Sequence, residues 1–246
     1  MNVSLRIDDI GSSTKQYEVY SKIPGGNILF FKYIKPFKAW GRYRELNQYE
    51  WIQIFEILDQ FNAKLTVGIT ATWVEKDSSL IPFNKKFPDE ANILKQGLKN
   101  GCIEIANHGL THCVVGKHLP RMFHSNRTFH REFWDWLPHN VHYDHLKQSQ
   151  DILQNFFNTD IVSFIPPGNV FCDATVEAAK LCNFSIINCN INKKINKKIS
   201  NIRIIGNEKI IAFHDRELVL YGTNWLKKLL FQLDGNTTCN SFIKDL

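Results

Sequence analysis

The sequence predicts an α/β fold in which short apolar strands alternate with longer amphipathic helices. Short segments rich in β-branched residues recur along the 246 residues, and they are separated by stretches with apolar side chains at helical spacing. Polar side chains follow several of the predicted strands. Strands that alternate with helices of ten or more residues favour βα units and a parallel sheet. This periodicity leaves open whether the sheet closes into a barrel.

The individual elements follow from local patterns. Residues 3–8 alternate apolar and polar side chains and predict a first strand that ends in carboxylates, and residues 49–61 place Trp51, Phe55 and Leu58 on one helical face. Asp173 is a predicted N-cap of the helix that follows it. The other predicted strands are 63–69, 102–106, 161–165, 185–188 and 209–213, and the other predicted helices are 91–100, 145–157, 174–181 and 225–233.

Two segments do not fit this alternation, namely residues 10–44 and residues 113–143. Long irregular segments in a compact domain often have a function. We interpret 113–143, which is rich in His, Arg and aromatic residues, as a lid or groove insertion, with a plain structural insertion as the alternative. Residues 1–246 form one predicted domain, since the two halves do not differ in composition and the length suits a single α/β domain.

Composition limits the classes of partner. The net charge is +6, but no long basic run with interleaved aromatic residues predicts a nucleic-acid surface. Lys193, Lys194, Lys197 and Lys198 fit a solvated loop. No stretch approaches the about 18 apolar residues of a membrane span. We expect a cytoplasmic protein, because residues 1–10 lack the pattern of a signal peptide and the six cysteines form no CxxC pair.

Three polar clusters stand at the ends of predicted strands: the Asp8-Asp9 pair, the segment 108–112, and the His214-Asp215 pair. The carboxyl ends of parallel strands meet on one face, where active sites form. Each cluster alone also fits a structural role, such as a helix cap, a chance HxxxH on a surface helix, or a histidine bonded to backbone. Their matching positions favour a common site.

The HxxxH pattern of His108 and His112 predicts a metal site, because imidazoles four residues apart on one helical turn face the same side. With Asp9 they give a donor set of two histidines and one carboxylate. Such a set leaves coordination positions open, as hydrolysis requires. His214 lies at the end of another strand and suits a general acid that protonates a leaving amine.

The clusters, taken in this order, resemble the polysaccharide deacetylase family, also called the NodB-homology or carbohydrate esterase 4 family. The resemblance covers nearly the whole chain. Residues 6–10 resemble its motif T-F-D-D-G, 108–112 resemble H-[ST]-x-x-H, 165–169 partly resemble R-P-P-Y-G, and 210–215 resemble an apolar strand ending in H-D.

The sequence also departs from the family pattern. Ile165 stands where the family has an arginine that orients the catalytic base, and Gly168 stands where it has an aromatic residue. No D-x-x-D-W motif is present, and Asn188 and Asn190 occupy the corresponding region. These departures indicate a divergent branch of the family.

The resemblance implies a NodB-like distorted (β/α) barrel of seven or eight parallel strands and one divalent metal, usually zinc, with cobalt, manganese or nickel as alternatives. It implies that Asp9, His108 and His112 bind the metal. Asp8 would be the general base and His214 the general acid. The predicted oxyanion and substrate group comprises the N–H of Gly168, the amide of Asn169, and Arg6 as a candidate replacement for the missing arginine.

The functional prediction is a metal-dependent hydrolase that removes an N-acyl group, acetyl or formyl, from an amino sugar or glycan precursor in the cytoplasm. One alternative is a non-catalytic glycan-binding protein on the same scaffold, and another is a hydrolase of a small non-sugar amide. The oligomeric state is left open. A second metal site is a further alternative, built from His118, His124, His130, His139, His142 and His145.

Overall fold

The predicted parallel sheet is confirmed. The computed structural model describes residues 3–21, 23, 25–28, 30, 31, 34, 43–121, 123–189, 202–206, 210–234 and 237–239. Eight of the strands in these residues form one parallel sheet, and an antiparallel hairpin of β3 and β4 lies outside it. The strands are β1 Val3–Ile10, β2 Leu65–Ile69, β3 Thr72–Val74, β4 Leu80–Pro82, β5 Ile103–Asn107, β6 Ser163–Phe164, β7 Ile186–Asn188, β8 Arg203–Ile205, β9 Ile210–His214 and β10 Thr237–Thr238.

The sheet has the curvature and order of a distorted (β/α) barrel. Its path runs β9-β1-β2-β5-β6-β7-β8, and β10 pairs with the beginning of β1. Among the described residues no ladder joins β8 to β9, although Ile186, Ile205 and Ile210 pack together across that gap. The strands therefore form a half-barrel whose carboxyl ends share one rim.

Helices cover the outside of this sheet, and local capping residues mark where several of them begin. Asn47 caps the second helix in a capping box with Glu50, and Pro88 occupies the first turn of the fourth. Asp173 is the first residue of its helix, and Cys172, in extended conformation, takes the N-cap position predicted for Asp173. The helices are α1 Thr14–Tyr17, α2 Gln48–Gln60, α3 Phe83–Lys86, α4 Pro88–Lys99, α5 His139–Phe157, α6 Asp173–Leu181, α7 Asp215–Tyr221 and α8 Asn224–Gln232.

The core lies between the sheet and these helices. Trp51 and Leu58 of α2 and Leu94 of α4 are fully buried in one cluster with Leu5 and Val67 of the central strands. Burial of such side chains contributes roughly 1.5–3 kcal/mol each, so this core stabilises the sheet that carries the rim. In the described part of the chain no helix is both long enough and apolar enough to span a membrane.

The segment 113–143 packs onto the domain as irregular chain. It contains one 3-10 turn, Arg127–Phe129, and the start of α5, while His118, His130 and Phe133 are buried. Within 10–44 the structure shows α1. The basic loop predicted from Lys193 to Lys198 and the position of Asn190 lie outside the described residues.

Candidate active site

An irregularity in β1 brings two adjacent carboxylates to the same rim. Side chains alternate between faces along a regular strand, so neighbouring residues normally point apart. The register between β1 and β2 shifts between Ile7 and Ile10, and Asp9 adopts a left-handed backbone conformation with φ of 69°. The first strand, predicted to end at residue 8, thus continues to Ile10 and contains a bulge.

Asp9, His108 and His112 come together as one buried cluster. The Oδ1 atom of Asp9 lies 3.2 Å from Nε2 of His108 and 3.0 Å from Nε2 of His112. Donor atoms that bind one zinc ion at about 2.0–2.2 Å stand about 3.4 Å apart in a tetrahedron, so this spacing fits a metal. Among the residues that the structure describes, this is the cluster of at least three His, Cys, Asp or Glu side chains able to hold an ion.

The remaining imidazole nitrogens are oriented by the protein. Nδ1 of His108 lies 2.8 Å from the carbonyl oxygen of Ile165, and Nδ1 of His112 lies 3.0 Å from Oγ1 of Thr14. A histidine that donates its Nδ1–H in this way presents an unprotonated Nε2 to a metal. Burial lowers the pKa of His112, which keeps its ring neutral and able to bind a cation.

The electrostatics of Asp9 also suit a ligand. Burial alone would raise the pKa of this carboxyl, but its close contacts with His112 and His108 lower its pKa well below the usual range. Asp9 is therefore ionised at neutral pH and can bind a cation without first losing a proton.

The segment from His108 to His112 is not the helical turn that the HxxxH spacing suggested. Gly109 and His112 both have positive φ, 82° and 58°, and the chain bends back on itself. The two imidazoles meet because of this bend, with ring centroids 4.9 Å apart. A Cβ on Gly109 would lie 2.2 Å from the carboxylate of Glu132, so the loop needs glycine here.

Glu132 holds this ligand loop in place. Its carboxylate accepts the backbone N–H groups of Leu110, Thr111 and His112 at 3.0, 3.2 and 2.8 Å. Nδ1 of His145 lies 2.7 Å from the same carboxylate. Burial would raise the pKa of Glu132, but His145 and the loop amides lower it. Sequence reasoning missed Glu132: the segment FHREFW was singled out, yet nothing local distinguishes a buried loop anchor from a surface carboxylate.

Asp8 lies beside the cluster of Asp9, His108 and His112. Its Oδ2 accepts a hydrogen bond from Arg6 at 2.6 Å, whereas its Oδ1 is buried without a hydrogen-bond partner among the residues that the structure describes. Gly68 of β2 makes room for that oxygen, because a Cβ there would lie 3.3 Å from it. A buried acceptor without a donor is costly unless water or substrate supplies one.

Arg6 is directed at Asp8, the predicted general base. It is buried and donates both to Asp8 and, at 3.0 Å, to the backbone oxygen of Asn188. It thus has the contact that the family gives to the arginine replaced here by Ile165, a buried apolar residue. Gly168 and Asn169 form an exposed 3-10 turn after β6, and the guanidinium of Arg131 packs directly against Gly168.

His214 ends β9 with its backbone paired opposite Asp8. Its Nδ1 lies 3.6 Å from Glu217, and its side chain is 40% exposed at the rim. Burial would lower the pKa of His214, but Glu217 and the charges of Asp9 and Asp8 raise it to about 9. The imidazole is therefore protonated at neutral pH, as a general acid must be.

A second buried network supports the rim from below, and sequence reasoning missed most of it. Lys15 of α1 forms ion pairs with Glu45 at 3.0 Å and with Asp215 at 2.8 Å, and it donates to the backbone oxygen of Asp9. Tyr43 donates to Asp215. Most of these residues come from segments with only weak patterns in the sequence, so their contacts with one another could not be predicted from local sequence.

The scattered histidines do not assemble a second metal site within the described residues. His145 is paired with Glu132, His142 lies 2.9 Å from Thr175, and Nε2 of His118 lies 3.0 Å from the backbone oxygen of Glu75. These contacts give the buried histidines structural partners.

Comparison with known families decides the relationship. The family model described as polysaccharide deacetylase matches residues 48–187. The chain belongs to this family. The matched region includes His108, His112 and the turn at Gly168, whereas Asp8, Asp9 and His214 lie outside it.

Two solved structures with TM-scores of 0.50 or more support the fold of this family member. A provisionally assigned polysaccharide deacetylase from Mycobacterium smegmatis is 10% identical with a TM-score of 0.50, and the match covers 76% of this chain and 72% of that one. A 4-alpha-glucanotransferase from Thermococcus litoralis is 12% identical with a TM-score of 0.53, covering 98% of this chain and 40% of that one. A family 4 carbohydrate esterase pseudoenzyme from Bacillus anthracis is 15% identical with a TM-score of 0.43, covering 79% and 64%. No curated protein sequence matches.

Proposed function

We propose that this polysaccharide deacetylase family member is a metal-dependent hydrolase that removes an N-acyl group, acetyl or formyl, from an amino sugar or glycan precursor. The observation that carries the proposal is the free Oδ1 of Asp8, which is buried beside a donor set of Asp9, His108 and His112. A glycan-binding protein without catalysis has no need of a base oriented by its own arginine.

The three ligand side chains fit one divalent metal, and zinc is the ion we propose. A divalent metal supplies Lewis acidity, which polarises an acyl carbonyl and favours ionisation of water near neutral pH. Two nitrogens and one carboxylate oxygen are donors that zinc accepts, with cobalt, manganese and nickel as alternatives of similar chemistry.

Two residues of the protein, Asp8 and His214, carry out the proton transfers. Asp8 takes a proton from the attacking water through Oδ1, while Arg6 holds Oδ2 and keeps the carboxylate aimed at the site. His214, protonated because its pKa is raised to about 9, gives a proton to the departing nitrogen. The exposed turn at Gly168 supplies the backbone N–H that we assign to the oxyanion.

The test is release of acetate or formate from N-acetylated and N-formylated amino sugars by the zinc-loaded protein. We expect release that disappears in Asp8→Asn with zinc still bound. Small non-sugar amides belong in the same screen. Release from those alone would replace the sugar substrate, and binding of glycans without any release would replace catalysis. A cytoplasmic location remains a prediction, which cell fractionation tests.

A further inference from the structure

A cation, Arg131, lies near the candidate metal ligands. Arg131, from the segment 113–143, is partly exposed, and its guanidinium donates to the backbone oxygen of His130 at 2.6 Å. It forms no ion pair with any carboxylate of the described residues. Glu18, the carboxylate whose charge acts most strongly on Arg131, forms its ion pair with Arg127 at 3.8 Å. Arginine has five N–H donors, so most of the donors of Arg131 remain available.

The position of Arg131 depends on a glycine. A Cβ on Gly168 would lie 1.9 Å from Nε and 2.0 Å from Cδ of Arg131, so any other residue at 168 would displace this side chain. Gly168 is the position where the family pattern has an aromatic residue. The guanidinium therefore occupies space that a side chain at 168 would otherwise fill, on the turn that follows β6.

The charge of Arg131 reaches the metal cluster. It interacts electrostatically with Asp9 and His112, and partial burial lowers its pKa. A partly buried guanidinium that contacts no carboxylate of the described residues carries a desolvation cost that a bound anion would offset. Carboxylates and phosphates match its fork of donors with two parallel hydrogen bonds.

We propose that Arg131 determines specificity by binding an acidic group, a carboxylate or a phosphate, on the amino-sugar substrate. The inference rests on the proposed function, because it names a substrate class for the same site. It makes anionic amino sugars, such as a sugar phosphate or a uronic acid derivative, the preferred substrates over their neutral counterparts.

The experiment compares three probes: N-acetylglucosamine, N-acetylglucosamine 6-phosphate and N-acetylglucosaminuronic acid. Equilibrium binding is measured on zinc-loaded protein in an Asp8→Asn background, so that the ligand is not consumed. Acetate release is measured in the wild-type background. Each background carries Arg131→Gln, Arg131→Lys or, as the control for lost charge, Arg121→Gln, which alters an exposed arginine. Zinc stoichiometry and the midpoint of unfolding establish that each variant is folded.

We expect at least one anionic probe to bind more tightly than the neutral sugar. Arg131→Gln should reduce that preference about 30-fold, Arg131→Lys should restore part of it, and Arg121→Gln should leave it unchanged. Preference for the phosphate alone or the uronic acid alone identifies the group. Equal binding of all three probes, or a preference that survives Arg131→Gln, overturns the inference.

The two proposals fail in different ways. Binding that depends on Arg131 without acetate release contradicts the proposed hydrolysis and leaves the recognition of anions standing. Equal acetate release from neutral and anionic probes in every variant contradicts the role of Arg131 and leaves hydrolysis standing.

Discussion

Replacing Glu132 with glutamine should destabilise the fold and weaken metal binding, although Glu132 is not itself a predicted metal ligand. The carboxylate accepts the N–H groups of Leu110, Thr111 and His112 and faces Nδ1 of His145. Glutamine keeps one acceptor oxygen. Its NH2 group replaces the second oxygen and faces hydrogen-bond donors that this oxygen accepted from in the wild type. Two buried donors then lack an acceptor, at roughly 1–3 kcal/mol each. We expect about 3 kcal/mol of lost stability after partial relaxation.

The same substitution should weaken metal binding, because the loop that carries His112 loses its anchor. Partners that orient metal ligands typically contribute about 10- to 100-fold in affinity, and we expect about 30-fold here. Urea unfolding of the metal-free protein gives the first quantity, and competition of zinc with a chelator gives the second. Glu177→Gln, at an exposed position on α6, is the matched control.

The pKa shifts of Glu132 and His145 determine how the stability loss in Glu132→Gln depends on pH. The pKa of Glu132 is lowered on folding, so its contribution is present above about pH 4.3 and is lost as pH falls through the folded value. The pKa of His145 is raised, so its contribution is present below about pH 6.5 and is lost as pH rises through the folded value. The stability difference between wild type and Glu132→Gln should therefore be largest between about pH 5 and 6. A difference below about 0.5 kcal/mol at all pH values, with unchanged zinc affinity, would refute the reasoning.

Three further predictions follow from the rim. Asp8→Asn should lower kcat about 1,000-fold, as loss of a general base does, while a zinc titration gives the wild-type affinity; loss of zinc would contradict the separate roles of base and ligands. Glu217→Gln should lower the pKa of His214 from about 9, so the alkaline limb of kcat/KM moves to lower pH, and an unmoved limb would assign that limb to another group. Lys15→Met should destabilise the fold by about 3–5 kcal/mol in urea, because it leaves the buried carboxylate of Asp215 uncompensated; wild-type stability would show that water already screens this pair.

The strand and helix pattern was predictable because burial against a parallel sheet requires a strong local pattern of apolar residues in the sequence. Strand β2 lies at Leu65–Ile69 and helix α2 at Gln48–Gln60, within two residues of the predicted bounds. The helix that precedes β6 was predicted to begin at 145, whereas α5 begins at His139. Its first turns carry His and Asn residues without an apolar period, so the sequence does not show where it starts.

The site was predictable only where its residues stand at strand ends. Asp9, His108 and His112 meet as the spacing and the family resemblance suggested, although a bulge and a left-handed bend bring them together in place of a helical turn. Such backbone conformations depend on contacts with distant residues, here Glu132, which lies against Gly109. The local sequence cannot encode them.

Long-range electrostatic partners were the least predictable part. Lys15 reaches Asp215 across 200 positions of the chain, and Arg131 meets Gly168 from a segment without regular structure. Arg6 is the exception, because its separation of two residues from Asp8 on one strand allowed it to be named in advance.

Asp9, His108 and His112 are proposed to hold one catalytic divalent metal. Elemental analysis of the purified protein tests this proposal without knowledge of the substrate. We predict close to one zinc or equivalent ion per chain in the wild type and in His124→Ala, an exposed histidine outside the cluster, and loss of that ion in His108→Ala. Absence of bound metal after incubation with zinc or cobalt, or equal metal in His108→Ala, would contradict the account.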